Sequence, residues 1–364
     1  MLRKLFVDGD RGLVNFSWDA VPPLSLLEGR NGAGKSSLFE ALGKVRSLVC
    51  KGETATRVFP GAHLSIGTGR ALQTYALEVD IGGELLSYRL QIDHHVKGGN
   101  PFVQREVLEK VQGGRLFECT EGHAQLFHDD GSAGPSLSVD RARSALSPIP
   151  EGPSNTKLTA FKNWLARAWH IQPNPFGMSS DSQKEADEPD PRLANFVSWY
   201  RAASGDSEKV ARLNQELRGV LDGFVSLNLD KAGRETKALF ARFTLDDGKV
   251  AEFALEELSE GQRTLIALHA LLEFAPEGAT LLIDEPDNFL ALTEIQPWLM
   301  KVEEATEKGR IQVIVASHHP EVINRLWAVH GFIIERSRLG PSTIRRPDPN
   351  EGIAPADAVK LGIE

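Results

Sequence analysis

The apolar positions of this chain fall into two textures. Short unbroken runs, Leu24-Ser25-Leu26-Leu27, Ala279-Thr280-Leu281-Leu282-Ile283 and Ile311-Gln312-Val313-Ile314-Val315-Ala316, have the length and continuity of strands buried on both faces of a parallel sheet. Elsewhere apolar and polar residues alternate. Thr74-Tyr75-Ala76-Leu77-Glu78-Val79 reads as a half-buried antiparallel strand, and Gly82-Gly83 marks the hairpin turn after it. The N-terminal part predicts strands over residues 2–7, 13–16, 72–80, 84–93 and 105–111. Residues 130–155, rich in Gly, Pro and Ser, read as loop. Helical spacing follows at Leu158, Phe161, Leu165 and Ala166, then at Leu193, Phe196, Val197 and Tyr200, then at Val210, Leu213, Leu217 and Leu221. The acidic segment 179–191 between the first two stripes reads as a mobile loop. Strands return over 224–229, 239–245, 250–255 and 331–335, and 352–364 is a short tail. The expected organisation is an N-terminal lobe over 1–120, a mainly helical insertion over 121–222 and a C-terminal lobe over 223–364.

Chemistry enters where the first buried run ends. Gly29-Arg30-Asn31-Gly32-Ala33-Gly34-Lys35-Ser36-Ser37 fits G-x-x-x-x-G-K-[ST] between a strand and a helix. Gly29, Gly32 and Gly34 let the backbone turn its N–H groups, Asn31 and Ser37 included in the loop, onto phosphate oxygens. Lys35 would reach the β- and γ-phosphates, and the Ser36 hydroxyl would sit on Mg²⁺. The second buried run ends in Asp284-Glu285, where Asp284 would hold the Mg²⁺ shell and Glu285 would orient or deprotonate the attacking water. The third ends in His318-His319-Pro320; a His at the carboxyl end of such a strand lies at the ligand crevice, and His318 is placed to sense the γ-phosphate.

Leu258-Ser259-Glu260-Gly261-Gln262 adds a second anion-seeking element, because Ser259 would cap a helix running through Leu265, Ile266, Leu268, Leu271 and Leu272. The order GRNGAGKSS, LSEGQR, LLIDEPDN, VIVASHHPEVIN resembles the standalone ATPases of the ABC/RecF/SMC-like class, closest to compact AAA-type proteins related to the OLD-family ATPase domain. That resemblance implies an α/β P-loop head with a parallel core sheet, a flanking antiparallel β subdomain and a helical insertion. It also implies ATP and Mg²⁺ as cofactors. Two copies would pack head-to-tail, so that Ser259, Gly261 and Gln262 of one close over the ATP held by the other. Many relatives carry His-Pro or Asp where this chain has Ala291-Leu292, which leaves Asn288 as the candidate for the cross-dimer contact there. The glutamine expected to contact the site from a separate loop has three candidates, Gln73, Gln91 and Gln104.

Composition narrows the class. A hydrophobic share of 41% and a charged share of 25% are those of a globular chain, and no apolar run approaches a membrane span. The N-terminus lacks a signal-peptide pattern, and two distant cysteines, Cys50 and Cys119, have no metal-ligand spacing, so a cytoplasmic protein with reduced thiols is expected. A net charge of −9 argues against a protein that coats DNA. Local clusters remain at Arg141 and Arg143, at Lys157, Lys162 and Arg167, and at Arg336, Arg338, Arg345 and Arg346, each read first as a solvated face. No sustained heptad separates the motifs, so the chain reads as a compact head without coiled-coil arms. Three roles stay open: an ATPase that self-assembles and regulates a separate effector protein, as in bacterial anti-phage defence; a RecF-like repair ATPase stimulated by DNA; and a transporter ATPase subunit.

Overall fold

A computed structural model of the chain describes residues 1–65, 71–95, 100–291, 293–338 and 340–347. The expected tail over 352–364 and Leu292 lie outside the described residues. The chain opens with β1 (Leu2–Asp8), β2 (Phe16–Asp19) and β3 (Leu24–Glu28), followed by α1 (Lys35–Cys50) and a single turn, α2 (Ala55–Val58). A meander follows: β4 (Leu72–Ile81), β5 (Glu84–Asp93), β6 (Phe102–Lys110), β7 (Arg115–Thr120), β8 (His123–Phe127) and β9 (Ala133–Ser138). Next come α3 (Thr156–Ala166), β10 (Ala168–Ile171), β11 (Asp181–Ser182), α4 (Phe196–Ala203) and α5 (Ser207–Arg218), then β12 (Phe224–Lys231), β13 (Lys237–Thr244) and β14 (Val250–Ala254). The C-terminal part holds α6 (Glu260–Phe274), β15 (Thr280–Asp284), α7 (Gln296–Glu307), β16 (Gln312–Ala316), α8 (Pro320–His330), β17 (Gly331–Arg336) and β18 (Ser342–Arg345).

Three sheets result. The six-stranded one, ordered β10-β15-β16-β3-β17-β18, is parallel except for β18. Its strands are buried on both faces, which is why they read as continuous apolar runs. Leu282 and Ile314 point into a core shared with α1, α3 and the eight-stranded antiparallel sheet β2-β1-β4-β5-β6-β7-β8-β9. Leu281, Ile283, Val313 and Val315 point the other way, into a core built with α4 to α8. The central sheet is thus the middle layer, and the carboxyl ends of β3, β15 and β16 come together at one edge of it. The β4–β5 hairpin turns on Gly82 and Gly83, with φ of 62° and 86°, the pair of positive values that a two-residue turn of this twist needs.

Several expectations move. The strand expected over 13–16 begins at Phe16, because the chain makes a turn between Asp10 and Leu13 and Asn15 sits at φ 48°. The loop expected over 130–155 contains β9, an edge strand whose exposed, non-alternating side chains gave no pattern to read. The stretch expected to be mainly helical supplies β10, which pairs in parallel with β15 and so belongs to the central sheet. Four residues of strand are too few to be told from a helix end by periodicity.

Candidate functional site

The phosphate loop is held by close packing on both sides. A Cβ at Gly29 would stand 2.1 Å from the Ile334 carbonyl oxygen of β17, so no larger residue fits there. Gly34 has φ 116° and faces the Ser342 hydroxyl of β18, which itself donates to the Ala33 carbonyl at 2.7 Å. Gly34 is the N-cap of α1 and supplies no side-chain cap, and no acidic residue occupies the first turn. The first N–H groups of a 16-residue helix are therefore open to an anion. Arg30, Asn31, Gly32, Lys35, Ser36 and Ser37 line one open pocket of about 280 Å³ together with Glu285.

The other half of the chemistry arrives on the neighbouring strands. Ser36 Oγ donates to Asp284 Oδ2 at 2.7 Å, joining the expected Mg²⁺ ligands across 248 residues of sequence. These hard oxygens suit Mg²⁺, and no cluster of three or more His, Cys, Asp or Glu that could hold a metal occurs among the described residues. A Mg²⁺ ion here would draw its remaining ligands from phosphate and water, as that ion commonly does. Burial pushes the Asp284 carboxyl up from its ordinary range, with Glu285 adding to it and Ser36 and Lys35 opposing.

Lys35 is 7% exposed. Its ammonium donates to the Gly29 carbonyl and to His318 Nε2, the latter at 2.7 Å. Lysine has only donors, so Nε2 must accept and the ring proton sits on Nδ1, which faces Glu28 Oε1 at 3.7 Å. Burial lowers the pKa of both cations, and the Lys35 charge lowers that of His318 further. A neutral His318 follows. Glu285, just past β15, sits in the left-handed region at φ 49°, and its Oε2 accepts from Asn288 Nδ2 at 2.6 Å. A strained backbone at the residue expected to handle the water is a recurrent feature of functional sites.

The signature segment is built as expected but stands apart from this pocket, whose lining includes none of Ser259, Gly261 and Gln262. Ser259 caps α6 by accepting from Gln262 N at 3.2 Å, and Gln262 Oε1 accepts from Ser259 N at 3.0 Å. This reciprocal cap holds the helix N-terminus ready while spending the Gln262 carbonyl oxygen on it.

The candidate glutamines do not reach the site. Gln73 is buried in β4 on Gly9 and His94, Gln91 pairs within β5, and the Gln104 carbonyl is taken by Glu121 N; none lines the pocket. Gln172 is also absent from that lining, but it stands at the end of a strand of the central sheet. It directly follows β10, and since Ile171 is opposite Ile283, it comes level with Asp284. The four-residue run ending at Gln172-Pro173 was the available signal. Arg11 and Arg336 also line the pocket, and Asp287 accepts from Ser317 Oγ at 2.6 Å, tying the segment after Glu285 to the strand end that carries His318. Asp287 lies within the LLIDEPDN stretch and Arg336 within a basic cluster read as a solvated face, but neither was read as part of the site, and Arg11 had no sequence signal.

Comparison with known proteins agrees with this geometry. Residues 158–324 match a family model described as "AAA domain, putative AbiEii toxin, Type IV TA system". The chain superposes on the SMC head domain from Thermotoga maritima with a TM-score of 0.50 at 13% identity, covering 95% of this chain and 99% of that one. An SmcHead bound to the C-winged helix domain of ScpA gives 0.56 at 13%, covering 97% and 99%. An Smc head domain with an extended coiled coil, bound to the C-terminal domain of ScpA and derived from Pyrococcus furiosus, gives 0.54 at 14%, covering 99% and 98%. The chain has the fold of an ABC/SMC-like P-loop head. At these identities the likeness to the solved heads is one of fold. No curated protein matches the sequence. Ala291 is exposed.

Proposed function

We propose that this head binds ATP with Mg²⁺, hydrolyses it, and self-associates head-to-tail as it does so. The observation that carries the reading is the convergence of Lys35, Ser36, Asp284, Glu285 and His318 at one strand edge while the capped signature helix lies outside that pocket. A signature that cannot close over its own phosphate loop is supplied with a task only in a second copy. Lys35 and the α1 N-terminus bind the triphosphate, Ser36 and Asp284 hold the cation, and Gln172 approaches from β10. Glu285 accepts the proton of the attacking water, and His318 holds the γ-phosphate edge. A Mg²⁺ ion held by Ser36 and Asp284 would neutralise charge on the transferred phosphate.

The biological output we assign is control of a separate effector protein in the cytoplasm, with bacterial anti-phage defence as the setting. Two of the similar heads are bound to a ScpA domain, and the matched family description names a toxin system, which supports a protein partner over a DNA one. A net charge of −9 points the same way. Turnover measured against protein concentration, with and without duplex DNA, tests this with Glu285→Gln as the blank. The expected result is a specific rate that climbs with concentration and ignores DNA. A rate that rises only with DNA would transfer the chain to the repair reading.

A further inference from the structure

Beside the signature loop the chain exposes an aromatic pair that the phosphate pocket does not use. Phe176 is 69% exposed and is the one aromatic among the large apolar side chains left in solvent by the described residues. Its ring meets half-buried Phe289 edge-on at 5.6 Å. Both are tied to the signature. A Cβ at Gly261 would come within 3.0 Å of the Phe289 carbonyl, and Arg263 Nη1 donates to the Pro175 carbonyl, next to Phe176, at 2.8 Å. Gly261, Phe289 and Phe176 therefore form one surface with the capping Ser259. Exposed apolar patches of this kind mark interaction sites.

Charge selects the occupant. Carboxylates lie beside this surface: exposed Glu294 has its Oε2 3.8 Å from where a Gly261 Cβ would stand, and Glu260 opens α6 next to Ser259. The rim of the phosphate pocket has the opposite sign. Arg11 there is paired with Glu40 at 2.6 Å, but Arg30 and Arg336 have no ion-pair partner among the described residues. An apolar patch flanked by Glu260 and Glu294 and a pocket rimmed by cations, on different parts of one chain, are complementary in two copies.

We propose that Phe176 and Phe289 are the apolar seat on which a second copy of this chain docks when nucleotide closes the heads. The inference rests on the head-to-tail reading above and adds the residues that hold the partner independently of the phosphates.

Sedimentation velocity on the Glu285→Gln protein with ATP and Mg²⁺ tests it, comparing Phe176→Ser, Phe289→Ala and the conservative Phe176→Tyr in that background. Phe176 is exposed, so its Ser variant leaves the fold and nucleotide binding by the monomer intact. The expected result is that Phe176→Ser and Phe289→Ala each raise the concentration for half-association tenfold or more, that Phe176→Tyr stays near the parent, and that added salt weakens the parent's association. If the parent associates and the Ser and Ala variants match it, the aromatic seat is overturned and the head-to-tail reading stands. If the parent itself stays monomeric with ATP, both fall.

Discussion

At the scale of single residues, the side chains of the site are hydrogen-bonded to one another. Asn288 occupies the Glu285 carboxylate, and Lys35 occupies His318. Replacing Asn288 with Ala frees the carboxylate for water, and we expect turnover at low protein concentration to rise several-fold while nucleotide affinity is unchanged. A fall in turnover without loss of affinity would mean that Asn288 positions Glu285 for the reaction rather than restraining it. Glu285→Gln should lose about 10²-fold or more in turnover, the usual worth of a general base, and keep ATP binding. Lys35 makes a different point. Its ammonium is buried at a cost reflected in its lowered pKa. Lys35→Met removes that cost, so nucleotide binding is expected to vanish while the melting temperature of the free protein stays level or rises. A drop of several degrees would show that the cation is structural, through its bond to the Gly29 carbonyl.

At the scale of elements, legibility followed burial. β3, β15 and β16 are buried on both faces, and their apolar runs gave them away along with the residues at their ends. Ser259 was legible as a cap because capping is a local contract between residues three apart. Its removal in Ser259→Ala should cost about 0.5–2 kcal/mol in chemical denaturation, a loss separate from any effect on turnover. What stayed hidden were elements defined by partners far away in sequence. β10 earns its place by pairing with Thr280–Ile283, more than a hundred residues on. Gln172 was hidden with β10. Gln172→Ala is expected to lower turnover at least tenfold with little change in nucleotide affinity; an unchanged rate would return the search to other residues near the pocket.

At the scale of the molecule, the layers are bonded through buried titratable groups that respond to acid in opposite directions. Glu106, fully buried, accepts from Tyr88, Ser144 and Ala145 N, and burial raises its pKa. The native state holds that proton more tightly, so Glu106 contributes stability below its ordinary 4.5 that is lost as pH rises through the higher native value. His170, on β10 and packed edge-on against Phe39 of α1 at 5.6 Å, behaves the other way. Burial lowers its pKa from 6.5 to about 4. The unfolded chain therefore binds more protons between those values, and stability must rise with pH across that window and be complete above it. The same sign holds for His94 and His318, also lowered by burial. His170→Phe keeps a ring against Phe39 and removes the titration. Unfolding free energies measured from pH 4 to 7 should show the parent gaining on the order of 3 kcal/mol more than the variant, the worth of a shift of this size. Parallel curves would mean that water reaches His170 in the pocket beside α1 and that its burial is not what joins these layers.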